Sequence, residues 1–156
     1  MELIKDKDNK ALRTPAEPID KVTPEIRELA RKMKKIMKAN NGVGLAGPQI
    51  GVQKQIFVAE LVYEGEENGV FYTVINPKII NVSKEKEKLE EGCLSLPKIY
   101  GEVTRPKKIT VEYLNEMGRK KKLKASGLLA RIFQHEIDHL NGGLFIDKAK
   151  EIKNIE

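Results

Sequence analysis

The chain has 156 residues, of which 29 are basic and 23 acidic, for a formal net charge of +6. That length fits one domain over residues 1–156, large enough to bury a core without disulfide staples. Cys93 is the only thiol, so no disulfide forms within the chain, and a reducing, cytoplasmic setting is expected. There is no run of about 18 apolar residues to span a membrane. Met1-Glu2-Leu3-Ile4-Lys5-Asp6 lacks the apolar core of a signal peptide. The basic excess comes without interleaved aromatics, so it reads as solvated surface, with no DNA partner expected.

Residues 1–22 read as a polar, extended entry punctuated by Pro15 and Pro18. Thr23-Pro24-Glu25 then carries an N-cap, a proline at the first helical position and an acidic first turn. Ile26, Leu29, Ala30, Met33, Ile36 and Met37 follow at helical spacing until Gly42, which predicts an amphipathic N-terminal helix. The run 42–51 is too rich in glycine for a regular element. Strands are expected over 55–63 and 71–82, a charged loop or strand end over 83–90, and a hairpin pairing 109–114 with 120–124. Residues 127–140 form a second helix, followed by a short tail. Strands and helices are segregated along the chain, which predicts an α+β fold: antiparallel sheets packed around the C-terminal helix, plus the N-terminal amphipathic helix.

That C-terminal helix carries His135-Glu136-Ile137-Asp138-His139, and these two histidines are the only ones present. Residues i and i+4 share a helix face, so both imidazoles reach one metal ion and Glu136 leans toward a water on it. The competing interpretation is two hydrogen-bonded histidines on a half-buried helix. A catalytic ion needs a third ligand and an open position. Asp147 and Glu151 follow the motif, but no further histidine does. Upstream lies Cys93, whose thiolate suits zinc or ferrous iron. On these grounds alone three readings stand: a metallohydrolase, a small zinc endopeptidase with a third ligand other than Cys93, or a metal-stabilised RNA- or ribosome-binding module with a closed site.

Three segments together resemble the signature motifs of peptide deformylases, in the family's order and separation: Gly42-Val43-Gly44-Leu45-Ala46-Gly47-Pro48-Gln49, Glu91-Gly92-Cys93-Leu94-Ser95 and Gln134-His135-Glu136-Ile137-Asp138-His139. Gly47 departs from the family, which usually has alanine there. The resemblance implies a metallohydrolase that removes the formyl group from nascent formyl-Met peptides. It implies one divalent ion on Cys93, His135 and His139, physiologically Fe²⁺, with Zn²⁺, Ni²⁺ or Co²⁺ able to replace it. It further implies Glu136 as proton carrier, and the Gln49 amide and the Leu94 backbone N–H as donors to the oxyanion. Backbone at Val43, Gly44 and Gly92 would pair with the extended peptide, and Leu128 and Ile132 would flank the methionine pocket. Glu91 and Arg105 match a bracing ion pair, and Asp138 supports a ligand or helix contact. Arg131 occupies a position often aliphatic in relatives, at the rim of that pocket. With only a short stretch after the third motif, the long C-terminal helix that some members use at the ribosome surface is expected to be shortened or missing, and docking by that route is not expected.

Overall fold

The computed structural model of the chain describes residues 1–155. Three helices, α1 (Lys10–Arg13), α2 (Pro24–Ala39) and α3 (Gly127–Leu140), are joined by eight strands. The strands are β1 (Gly44–Ala46), β2 (Ile56–Leu61), β3 (Val70–Val82), β4 (Lys86–Cys93), β5 (Leu96–Pro106), β6 (Lys108–Leu114), β7 (Lys120–Ser126) and β8 (Lys150–Asn154). They form two antiparallel sheets, ordered β1-β2-β3-β6-β7 and β4-β5-β8. The expected α+β architecture with a helix against antiparallel sheet is what the chain adopts.

Period-two alternation explains how the larger sheet is covered on both faces. On β2, Phe57 and Ala59 face α3, where Leu129, Ala130, Phe133 and Ile137 lie. Ile56 and Val58 face Leu29, Met33 and Met37 of α2. Phe133 anchors α3 by meeting Phe57, Tyr72 and Tyr113 edge-on, with ring centroids 5.1, 5.4 and 6.2 Å away. Truncating such a fully buried ring costs about 3–5 kcal/mol. A third cluster of Leu12, Leu96, Val103, Leu144 and Phe145 underlies the smaller sheet. Thus α3 is clamped between the sheets, and its polar residues meet β4 and β5.

The N-terminus of α2 is as expected, with Pro24 in the first turn and Thr23 Oγ1 accepting from the Ile26 N–H at 3.3 Å. Its end differs: Asn41, at φ 56°, takes the left-handed position, and the Gly42 N–H closes the helix onto Met37 O at 2.9 Å. Gly42 instead lies against Leu94, whose Cδ1 would be 2.5 Å from a Cβ there and would have to move aside. Five further differences from expectation are found. The entry contains α1, capped by Asn9 Oδ1 and too short to show a period. The glycine-rich run holds β1 and a 3₁₀ turn, Gly47–Ile50, closed by Gly51 at φ 78°. The charged stretch after Ser83 is mostly strand β4, and β5 occupies a segment for which no element was expected. The tail pairs as β8. Gly47 has a local reason in this chain: a Cβ there would sit 2.7 Å from Val52 O. No helix among the described residues is long and apolar enough to cross a membrane.

Candidate metal centre

Strand β4 ends at Cys93 and turns back through Leu94 and Ser95 into β5, Cys93 pairing with Leu96. The turn sets the thiol against α3. Cys93 Sγ lies 3.3 Å from His139 Nε2, and ligand atoms of Cys93, His135 and His139 all fall within 4.8 Å of one another. Residues 46 positions apart in sequence are thereby brought to one point, as the metal reading requires. The donor set, one sulfur and two imidazole nitrogens, is that of a transition-metal site. Two buried polar atoms beside it, Glu136 Oε1 and His139 Nδ1, have no protein partner.

The His135 tautomer is fixed by its neighbour. Glu91 Oε1 lies 2.9 Å from His135 Nδ1. Burial pushes the Glu91 carboxyl up, but hydrogen bonds from His135 and Arg105 outweigh it and bring it to about 2. An ionised carboxylate only accepts, so Nδ1 carries a proton and Nε2 is the ring nitrogen left to face a metal, which it binds on losing any proton of its own. Burial holds His139 well below the usual imidazole range, which favours the neutral, ligating form. His135 is pushed the other way: burial lowers it, but its contacts with Cys93 and Glu91 outweigh that.

Glu91 is bound on three sides. Arg105 donates from Nε at 2.6 Å and Nη2 at 3.0 Å, and Arg131 donates from Nη1 at 2.5 Å. Arg105 Nη1 also reaches Asp138 Oδ2 at 2.9 Å, and Lys148 Nζ reaches Asp138 Oδ1 at 3.1 Å. Arg105 and Asp138 therefore sit behind the ligands, as a brace. The depressed Glu91 carboxyl has a consequence for stability. Its folded value, about 2, lies below the ordinary 4.5. The stabilisation is complete above the ordinary value and is lost as pH falls through the folded one. Wild-type protein should lose on the order of 3 kcal/mol over that interval. Urea midpoints followed from pH 5 to 2 should fall more steeply for wild type than for Glu91→Gln; parallel curves would contradict this.

A cleft of about 550 Å³ opens in front of the ligands. Val43 and Gly44 line it from β1, and Gly92, Cys93 and Leu94 from the β4 end. Leu128 and Ile132 line it from α3, with His135 and Glu136 at its base. Leu128 is 53% exposed at the rim, whereas Ile132 is also part of the core. Both β1 and β4 are outer strands of their sheets, so their free edges border the cleft. Gln49 is 1% exposed and is oriented by the Ala46 N–H, which donates to Oε1 at 2.9 Å. Its Nε2 is thereby turned toward Ser95 Oγ at 3.1 Å and Cys93 Sγ at 3.5 Å. Glu136 is 4% exposed, and burial pushes its carboxyl up to about 7. Gly44 is pressed against it: a Cβ there would lie 2.5 Å from Glu136 Oε2.

All the sequence-expected residues thus gather at one cleft or directly behind it. The structure adds the contacts of two further residues. Ser95, in the β4–β5 turn, holds the Gln49 amide. Arg131 turns its guanidinium away from the rim and into the protein. A sign of the latter was available, since an arginine between Leu128 and Ile132 on an apolar helix face demands a buried partner.

The polypeptide deformylase family model matches residues 1–154. A peptide deformylase of Prochlorococcus marinus (strain NATL2A) is 47% identical over 148 residues, covering 95% of this chain and 73% of the relative. A peptide deformylase of Carboxydothermus hydrogenoformans is 53% identical over 137 residues, covering 88% and 86%. The crystal structure of a Synechococcus elongatus peptide deformylase in complex with actinonin superposes with a TM-score of 0.89 at 40% identity, covering 96% of this chain and 79% of that one. With a thiolate and two imidazoles converging in such a cleft, and with likeness of this extent in both sequence and fold, the chain belongs to the polypeptide deformylase family.

Proposed function

We propose that residues 1–156 act as one catalytic domain that hydrolyses the N-formyl group of nascent formyl-Met peptides in the cytoplasm. The observation that carries this reading is the convergence of Cys93 and the two histidines beside a buried glutamate, at the base of a cleft bordered by two sheet edges. The donor set fits a divalent transition metal, with Fe²⁺ as the physiological ion and Zn²⁺, Ni²⁺ or Co²⁺ as substitutes. Such an ion, held by Cys93, His135 and His139, supplies Lewis-acid activation and lowers the pKa of water toward about 7.

The remaining work falls to the chain. Backbone at Val43 and Gly44 on one edge and Gly92 on the other pairs with an extended peptide, like an added strand. Leu128 and Ile132 receive the methionine side chain. Gln49 Nε2 and the Leu94 N–H are aimed at the formyl oxygen as it gains charge. Glu136 accepts the proton of the attacking water and delivers it to the amine nitrogen as the C–N bond breaks, so that water is consumed and formate and a free amine leave. Burial lifts the Glu136 carboxyl to about 7, with His135 and Arg105 acting in the opposite direction, which keeps it able to take up and release a proton near neutrality. Glu91, Arg105 and Asp138 hold His135 and α3 in place. The net charge of +6 fits an encounter with nascent chains at the anionic ribosome surface.

Formate release from formyl-Met-Ala-Ser, with the anaerobically loaded Fe²⁺ form or the Ni²⁺ form, tests this reading. Turnover is expected, and its absence from protein of confirmed metal content would overturn the proposal. The contact between Gly44 and Glu136 supplies a second check. Gly44→Ala should displace the carboxylate and lower kcat by as much as ~10²-fold, the cost of misplacing a reacting group by about 1 Å. Metal content should stay unchanged; an unaltered kcat would show that the carboxylate position does not matter.

A further inference from the structure

We infer that Arg131 is a positioning residue for the metal centre, setting the height and rotation of α3 against the β4–β5 hairpin so that His135 meets Cys93. The inference rests on the metal-site reading above. Its basis is the contact chain from Arg131 through Glu91 to His135, together with the spacing of these residues on strand and helix. Glu91 and Cys93 are two residues apart on β4, whose pairing with β5 shifts register between Gly92 and Cys93 as the strand turns back. Arg131 and His135 are four apart on α3, so they share a face with an axial rise of about 6 Å. Strand and helix meet at two levels: Glu91 lies between Arg131 and His135, with Oε2 on Arg131 Nη1 and Oε1 2.9 Å from His135 Nδ1, and Cys93 Sγ lies 3.3 Å from His139 Nε2. Arg131 thus holds one oxygen of the carboxylate whose other oxygen orients His135 toward Cys93.

Arg131 is built to hold that arrangement. It is 6% exposed, and its planar fork has three acceptors on the hairpin. Nη1 donates to Glu91 Oε2 at 2.5 Å and to Val103 O at 3.0 Å, while Nη2 donates to Glu87 O at 2.6 Å. One side chain thus binds both β4 and β5. Arg105 fastens α3 on the other side of His135, through Asp138 at 2.9 Å. Two attachments flanking a ligand fix both its axial position and its rotation, whereas one leaves a pivot. Arg131 also lines the cleft, yet its charge is spent inside the protein, so what it offers the cleft is its apolar stem.

Arg131→Met keeps the stem and removes the fork; Arg131→Lys keeps a cation that cannot bind all three acceptors at once. Each variant is loaded with Co²⁺ and compared with wild type at a temperature where circular dichroism shows all three folded. The readouts are the thiolate-to-cobalt charge-transfer band and the rate of Co²⁺ loss to a chelator, neither of which a mere fold brace would move. Arg131→Met should lose Co²⁺ about tenfold faster or more, the low end for removing support of a ligand, with a shifted band. Arg131→Lys should fall between it and wild type. Wild-type band and rate in both variants would overturn the proposal. If Arg131→Met does not fold, Arg131→Lys decides on the same readouts. Failure of the metal-site reading is distinguishable, since wild type itself would then show no thiolate band.

Discussion

Glu136→Ala should retain its metal ion and lose at least ~10²-fold in kcat, the low end for acid–base catalysis. Glu136 is outside the Cys93–His135–His139 group, so its removal leaves the ligand set whole. Its side chain is buried, Oε1 has no protein partner, and Gly44 leaves space for it by having no Cβ. A carboxylate kept dry and unpaired at this cost is explained by a proton that arrives with substrate water. Glu136→Gln sharpens the experiment, because an amide fills the same space but cannot accept the proton. Formate release, with metal content measured on the same samples, reads both variants. Full activity in either would remove Glu136 from the proton-carrying role.

Cys93→Ala should abolish stoichiometric metal binding, and with it turnover. Two imidazoles one helical turn apart are left without the sulfur that completes the set. No other cysteine exists to replace it. The same variant separates the deformylase reading from a zinc endopeptidase whose third ligand lies elsewhere, which would keep metal and cleave unformylated peptides. Metal affinity of the wild-type protein should also fall as pH is lowered, because thiol and imidazoles must lose their protons to bind.

The elements that were legible in the sequence are those with one dry face and one wet one. Helix α2 announced itself through Ile26, Leu29, Met33 and Met37 and through Thr23 and Pro24. The β6–β7 hairpin was as clear, whereas helix α3, buried on nearly every side, was legible through its apolar spacing and its two histidines. Strand β4 was not, because as an outer strand it is mostly exposed and its charged run Lys86–Glu90 shows no alternation. In β5 the alternation exists, with Gly101, Val103 and Arg105 buried, but a glycine and an arginine conceal it from any apolar pattern. Strand β8 is exposed throughout and is held only by backbone pairing with β5. The chemistry-bearing side chains could be chosen by type and spacing, since few residues can bind a metal. Their supports could not. That Ser95 holds Gln49, that Gly47 avoids Val52 O, and that Arg131 reaches across to Glu91 are facts of long-range packing, with no local period to betray them.

X-ray absorption at the metal edge of the Co²⁺- or Zn²⁺-loaded protein reads which atoms of the chain hold the ion. One sulfur scatterer, about 2.3 Å away for zinc, together with two imidazole nitrogens and one light atom from solvent, is the expected shell. A shell without sulfur in folded, fully loaded protein would contradict the account.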